Sequence, residues 1–138
     1  LLPIDHVIAK KLERGAEHKI GNDVNIPDGW LGVDIGPSTI SRVAPVIANA
    51  KTVLWNGPVG VFEIEEFSKG TVEIAGFVAA ATDKGAVSVV GGGDSIAAVK
   101  QAGVDKKITH ISTGGGASLE FLEGKDLPGV SAIAEKTN

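Results

Sequence analysis

Three consecutive glycines, Gly91–Gly93, separate an apolar, β-branched run from the start of a helical pattern. The run Ala86–Val90 is typical of a buried strand, and a helical pattern begins after Ser95. Because glycine has no side chain, an anion can approach the backbone N–H groups closely, and the following helix adds unpaired donors and its positive dipole end. The stretch predicts a phosphate-binding turn. A plain connection between strand and helix is the alternative.

The same order of apolar strand, glycine-containing turn and helix occurs four times. The turns are Gly36-Pro37, Asn56-Gly57-Pro58, Gly91–Gly93 and Gly114–Gly116. Strands that alternate with helices predict an α/β fold, with a parallel sheet and helices on both faces in a Rossmann-like three-layer arrangement. Ligands of such sheets bind beyond the carboxyl ends of the strands, where we expect all four turns to meet.

The remaining segments are predicted from periodicity. Leu1–Ala9 reads as a short buried strand, whereas residues 10–28 have no sustained period and are therefore either partly helical or functional. A helix with Ile40 and Ile47 on one face follows Gly36-Pro37; Ser38 or Ser41 is expected to cap it. Residues 65–83 are predicted to be mainly helical.

Length and composition fit part or all of one globular domain. The chain has 138 residues, 43% of them hydrophobic, and a net charge of −4, so no basic surface for nucleic acid is expected. No apolar run approaches the roughly 18 residues of a membrane span. Cysteine is absent, which excludes disulfides and thiolate catalysis. The absence of cysteine is compatible with the reducing cytoplasm, which is the expected location. Because the first residue is not Met and the chain opens on an apolar run, we expect a piece of a longer polypeptide.

Several side chains near the turns could carry chemistry. Asp94 either caps a helix or holds Mg²⁺ beside phosphate oxygens, and Ser95 either donates to a phosphate or only occupies the first turn. The turn Gly114–Gly116 carries no acid, which suits a phosphoryl group in transfer, although helix packing alone would also explain it. Glu63 could accept a ribose hydroxyl, but its acidic neighbours favour a solvated helix start.

The glycine-rich strings together resemble phosphoglycerate kinase, in that family's order along the whole chain. The resemblance implies a kinase that passes a phosphoryl group between 1,3-bisphosphoglycerate and ADP, giving 3-phosphoglycerate and ATP with Mg²⁺. The strings that carry it are Leu2–Asp5, Asp34–Pro37, Trp55–Glu63, Gly91–Ser95, Ser112–Glu120 and Leu122–Lys125.

By this resemblance the chain is the latter part of a C-terminal, nucleotide-binding domain and therefore an incomplete domain. Residues 1–122 would belong to that domain, and residues 123–138 would return toward an N-terminal domain that supplies the rest of a monomeric enzyme. No nucleic acid or membrane partner is implied. The alternative is an inactive fragment or scaffold that needs a complementary chain. A dinucleotide-dependent oxidoreductase is disfavoured, because the turn at Gly91–Gly93 lacks the third glycine of the G-x-G-x-x-G pattern.

The resemblance also assigns roles to individual residues. Asp94 would serve the metal, Gly93 and Gly114–Gly116 would contact the phosphoryl group in transfer, and Glu63 would hold the ribose hydroxyls. The implied nucleotide-binding residues are Gly32, Asn56, Pro58, Glu63, Gly92, Gly93, Asp94 and Ser95.

Overall fold

The computed structural model describes residues 1–21 and 23–133. Within them, no helix is long and apolar enough to cross a membrane. Short 3₁₀ helices cover Glu65–Phe67 and Asp105–Lys107. The other elements are β1 (His6–Ala9), β2 (His18–Gly21), β3 (Leu31–Ile35), α1 (Pro37–Asn49), β4 (Thr52–Asn56), α2 (Lys69–Asp83), β5 (Val87–Gly91), α3 (Gly93–Gln101), β6 (His110–Ser112), α4 (Gly115–Leu122) and α5 (Pro128–Ser131).

Strands β4, β5 and β6 form a parallel sheet in that order. Successive side chains of a strand point to opposite faces. Trp55 and Val90 are buried in the core that includes residues of α2 and α3. The alternate residues Leu54 and Val89 line a groove together with Phe121 and other residues of α4. The sheet is therefore flanked by helices on both faces, which confirms the predicted α/β architecture.

A second, antiparallel sheet holds the first three strands in the order β2-β1-β3. The prediction that every strand unit joins one parallel sheet is therefore wrong for β3. The predicted first strand is also too long, because Leu1 and Leu2 lie exposed before it. Residues 10–28 contain β2, which forms a hairpin with β1. The Lys10 N–H donates to the Glu17 carbonyl at 3.0 Å and closes the hairpin. An exposed strand of four residues is too short to show a clear alternation.

The start of α1 is held by a carboxylate that is distant in sequence. The Asp5 carboxylate accepts from the Ser38 and Thr39 N–H groups at 2.8 and 2.7 Å, and from the Thr39 hydroxyl at 2.6 Å. Asp5 is buried, and its own carbonyl accepts the Gly36 N–H at 2.9 Å. The expected cap from Ser38 or Ser41 is therefore wrong. Sequence proximity misled the prediction, because the acceptor comes from the segment that leads into β1.

The protonation of Asp5 is set by two opposing effects. Burial raises the pKa of the Asp5 carboxyl, but the hydrogen bonds from Thr39 and Ser38 outweigh burial, and the pKa lies below its ordinary value. The charged carboxylate is thus the form that the folded chain prefers. Its contribution to stability is present above the pKa of the unfolded chain and is lost as the pH falls through the lower folded value.

Replacing Asp5 by alanine should destabilise the fold, because two N–H donors and one hydroxyl lose a charged acceptor in a buried place. We expect Asp5→Ala to lower the free energy of unfolding by about 2–4 kcal/mol in urea titrations at pH 7. Asp28→Ala, which removes an exposed acid, is the matched control and should change it by less than about 0.5 kcal/mol. An equal effect of the two variants would contradict the role given to Asp5.

Candidate functional site

The carboxyl ends of the three parallel strands meet at one edge of their sheet. Asn56 at the end of β4 lies opposite Gly91 of β5, and Gly91 lies opposite Ser112 of β6. The Gly92 N–H then donates to the Ser112 carbonyl at 3.1 Å, so the pairing extends into the first triple-glycine turn. Three of the four predicted turns are therefore adjacent, as parallel strands require.

The two triple-glycine turns pack against each other around the Asn56 amide. A Cβ on Gly115 would lie 2.5 Å from Asn56 Oδ1 and 2.6 Å from the Gly92 nitrogen. Gly92 has φ +89°, a left-handed conformation that glycine adopts without strain. By contrast, a Cβ on Gly93 or Gly116 would meet nothing within 4 Å. Some glycines of each turn thus serve packing, and others leave the backbone open.

The helix N-termini of the four predicted units differ in what occupies them. The Asp5 carboxylate covers the start of α1, and the Asp34 carboxylate accepts the Gly70 N–H in the first turn of α2 at 2.6 Å. Within residues 1–21 and 23–133, no side chain accepts a hydrogen bond from the first turn of α3 or of α4. In the described part of the chain, the first turns of α3 and α4 therefore keep N–H groups and a positive dipole end without a hydrogen-bonded carboxylate, whereas an aspartate already lies at the starts of α1 and α2.

Asp94 is the one acid in the first turn of α3, and its side chain is exposed. The residue at the N-cap position is Gly92, so the interpretation of Asp94 as the helix cap is wrong. In the part of the chain that the structure describes, no group of three or more His, Asp or Glu could hold a metal ion. A single carboxylate at a phosphate-binding turn suits Mg²⁺, which takes one or two carboxylates with phosphate oxygens and water.

Ser95 connects α3 to the loop that follows β4. Its side chain is fully buried, and its Oγ accepts the Gly57 N–H at 2.6 Å. The Trp55 ring N–H donates to the Gly57 carbonyl, also at 2.6 Å. Gly57 is therefore held through both its N–H and its carbonyl group. From the sequence, Ser95 is expected either to donate to a phosphate or only to occupy the first helical turn. Its contact with Gly57 is not predicted, because it joins segments 38 residues apart.

Two further predicted residues share a cavity of about 440 Å³. Gly32 of β3 and Pro58 of the loop after β4 both line it. The Ile26 side chain covers Gly32, because a Cβ there would lie 2.6 Å from Ile26 Cδ1. Glu63, in contrast, is exposed further along the same loop and is not among the lining residues. The structure thus brings Asn56, Gly92 and Gly115 together, and Gly32 with Pro58, but places Glu63 outside both groups.

Asp34 lines the same cavity and was not singled out from the sequence. Its carboxylate accepts the Ile35 N–H at 2.8 Å in addition to that of Gly70. The residue is only 4% exposed, and burial raises the pKa of Asp34 to about 6 although both hydrogen bonds oppose the rise. An acid between the buried residues Val33 and Ile35 of a strand is the sequence signal that could have revealed it.

Comparison with known proteins identifies the family to which this sequence is similar. A sequence model of the family described as phosphoglycerate kinase matches residues 1–125. The chain belongs to the phosphoglycerate kinase family. A phosphoglycerate kinase of Fervidobacterium nodosum is 57% identical over 137 residues, which are 99% of this chain and 34% of that protein. A chloroplastic phosphoglycerate kinase of Volvox carteri is 57% identical over 136 residues, 99% of this chain and 29% of that protein.

Solved phosphoglycerate kinase structures superpose on the same elements. That of Coxiella burnetii is 42% identical with a TM-score of 0.85, and the match covers 95% of this chain and 33% of that one. That of Pyrococcus horikoshii is 38% identical with a TM-score of 0.75, over 94% of this chain and 31% of that one. The chain therefore spans about a third of the length of the phosphoglycerate kinases it matches.

Two glycines of the second turn should respond differently to a methyl group. Gly115→Ala forces the α4 start away from the Asn56 amide and the Gly92 backbone, and should lower the free energy of unfolding by about 1–3 kcal/mol. Gly116→Ala has open space in a helix and should raise it by up to about 1 kcal/mol. Urea titration of both variants is the measurement, and equal effects would contradict the close packing of the turns.

Asp34 should give the fold a characteristic pH dependence. Since its pKa rises from the usual 3.8 to about 6, the folded chain binds the proton more tightly than the unfolded chain. Its contribution to stability is thus fully present below about pH 4 and is lost as the pH rises through about 6, by on the order of 3 kcal/mol in total. From pH 4 to 7, the unfolding free energy of the original chain should therefore fall by that amount relative to that of Asp34→Asn.

The matched control for this pH series is Asp28→Asn, which replaces an exposed acid. Its stability should follow that of the original chain at every pH. If the unfolding free energy of the original chain relative to Asp34→Asn stays constant or rises between pH 4 and 7, Asp34 is not the group whose pKa burial raises.

Proposed function

We propose that this chain forms part of the nucleotide-binding half of a phosphoglycerate kinase and acts in phosphoryl transfer between 1,3-bisphosphoglycerate and ADP. The observation that carries the proposal is the pair of open helix N-termini, α3 and α4, that adjoin at the Asn56 amide. Two anion-binding helix starts side by side suit two phosphoryl groups that must lie next to each other. The family membership supplies the reaction.

The N-terminus of α3 would bind the nucleotide phosphates, and the N-terminus of α4 would contact the phosphoryl group in transfer. The N–H groups of Gly93, Asp94 and Ser95 would bind phosphates of the nucleotide, as donors at a helix start do for anions. The Gly92 N–H already donates to the Ser112 carbonyl, so Gly92 would contribute only the space that its missing side chain leaves. The N–H groups of Gly114–Gly116 would stabilise the negative charge of the phosphoryl group as it moves. Phosphoryl transfer needs mainly positioning and charge stabilisation, which rigid backbone donors provide without reorganisation.

Asp94 would hold the Mg²⁺ ion that this chemistry requires. The ion, when bound, neutralises charge on the phosphate oxygens. The single exposed carboxylate at the first turn of α3 fits that task, because phosphate oxygens and water complete the coordination of Mg²⁺. The chain's own contribution is thus one carboxylate placed beside a phosphate-binding turn.

The nucleoside would lie toward the cavity that Gly32 and Pro58 line. Its volume of about 440 Å³ is in the range of small-molecule pockets, and Ile26, Val59 and Val61 give it an apolar lining suited to a planar base. Glu63 would hold the ribose hydroxyls from the exposed part of the loop, a role that rests on the family resemblance alone. ADP and ATP are thus the proposed nucleotides.

The remaining two thirds of the enzyme would supply the binding site for 1,3-bisphosphoglycerate and 3-phosphoglycerate. Residues 1–122 would belong to the nucleotide-binding domain, and residues 123–138 would lead back toward the N-terminal domain. Residues 134–138 of that tail lie outside the described residues. We propose a cytoplasmic, monomeric enzyme; relatives named cytosolic, from Triticum aestivum, and chloroplastic, from Volvox carteri, both occur.

A specific observation also favours the second candidate, an inactive fragment that needs a complementary chain. The groove on the α4 face of the sheet is apolar, and it includes Phe121, Leu122 and Val130, which are 65%, 64% and 58% exposed. Apolar surface of this kind usually has a partner. Calorimetric titration of MgADP separates the candidates: the fragment interpretation predicts binding only when a chain with the missing elements is added.

Removal of the Asp94 carboxylate should abolish most Mg-dependent turnover. We would test this in a chimaeric enzyme, in which this sequence replaces the matching third of the Fervidobacterium nodosum relative. Asp94→Asn should lower kcat/KM for MgADP by roughly 100-fold or more, because the metal loses its charged ligand. Glu73→Gln, an exposed acid on α2, is the control and should stay within roughly twofold. Near-normal turnover of Asp94→Asn would overturn the assignment.

A further inference from the structure

Thr71, in the first turn of α2, is bound to the loop that carries Pro58. Its Oγ1 accepts the N–H groups of Val59 and of Gly60, each at 3.2 Å. Thr71 is 1% exposed, so water does not substitute for these contacts. One buried hydroxyl thus satisfies two consecutive backbone donors of a loop that would otherwise leave them without an acceptor.

The same stretch of loop is packed against Asp34. A Cβ on Gly60 would collide with the Asp34 carboxylate and would lie 2.7 Å from the Phe67 carbonyl oxygen. Next along the loop, the Val61 N–H donates to the Val33 carbonyl at 2.8 Å. The loop from Val59 to Val61 is therefore held between β3 and the start of α2, and it forms one wall of the cavity of about 440 Å³.

Pro58 lies between this attachment and a second one. On its N-terminal side the Gly57 N–H donates to Ser95 Oγ at 2.6 Å, and on its C-terminal side Thr71 accepts from Val59. A residue between two such contacts has little freedom to move. Ser95 belongs to α3, whose N-terminus is the proposed phosphate site, and Thr71 belongs to α2, which lies outside that site.

We propose that Thr71 is a positioning residue for the nucleotide: its hydroxyl fixes the Pro58–Gly60 wall of the nucleoside cavity relative to the phosphate-binding turns. The inference rests on the proposed function, and it adds a residue that touches neither phosphate nor metal. Preorganisation of a binding wall reduces the entropy lost when the ligand binds. Loss of Thr71 should therefore weaken nucleotide binding and leave the chemical step nearly unchanged.

The test compares Thr71→Val with Thr71→Ser in the chimaeric enzyme. Valine keeps the shape but removes the acceptor, so KM for MgADP should rise roughly tenfold with kcat within about twofold. Serine keeps the oxygen and should restore KM to within roughly twofold of the original. Val78→Ala, a buried change on the same helix, should lower the melting temperature and leave KM unchanged.

Amide hydrogen exchange provides a second measurement that does not depend on turnover. In the unmutated chimaera the Val59 and Gly60 amides should exchange slowly, at rates comparable to the Val61 amide, and Thr71→Val should accelerate the first two selectively. Fast exchange of both amides in the unmutated protein would overturn the proposal. So would a Thr71→Val variant whose KM changes no more than that of Val78→Ala.

The outcomes distinguish this inference from the proposed function. A Thr71→Val variant with normal KM, beside an Asp94→Asn variant that is inactive, sinks only the positioning role. If the unmutated chimaera does not turn over at all, the proposed function fails. The dissociation constants of MgADP for the Thr71 variants, from calorimetry, then decide the positioning role: a rise for valine with rescue by serine supports it, and unchanged or absent binding overturns it.

Discussion

Buried aspartates occupy two of the four helix N-termini at which this fold could receive an anion. Asp5 supplies a carboxylate to the start of α1, and Asp34 supplies one to the start of α2, each from a segment more than 30 residues away. An external phosphate would compete there with an internal negative charge that is already hydrogen bonded. Although four strand-turn-helix units look alike in sequence, the fold uses two of their helix starts for its own cohesion.

The two remaining helix starts are brought together by the absence of side chains. A side chain on Gly115 would collide with the Gly92 backbone and the Asn56 amide, so its absence lets α3 and α4 begin side by side at the ends of adjacent strands. Open glycines, such as Gly93 and Gly116, then expose backbone donors on the outer side. Close packing and the proposed anion binding thus use different glycines of the same turn, and both uses favour a run of three.

The sequence predicted the parallel sheet well because its strands are apolar, its turns are rich in glycine and its helices have a clear period. It failed in the antiparallel sheet, where β2 is short and exposed and therefore has no distinct alternation. It also missed the contacts of Asp5, Asp34 and Thr71. Those contacts join segments far apart in the chain, and local periodicity carries no information about such pairs.

Our central proposal is that nucleotide phosphates bind at the N-termini of α3 and α4 and not at those of α1 and α2. Amide chemical shifts of the ¹⁵N-labelled chimaeric enzyme, followed during titration with MgADP, test it most directly. We expect large shifts for residues 92–95 and 114–117, with residues 38–39 and 70–71 nearly unchanged. Comparable or larger shifts at the starts of α1 and α2 would contradict it.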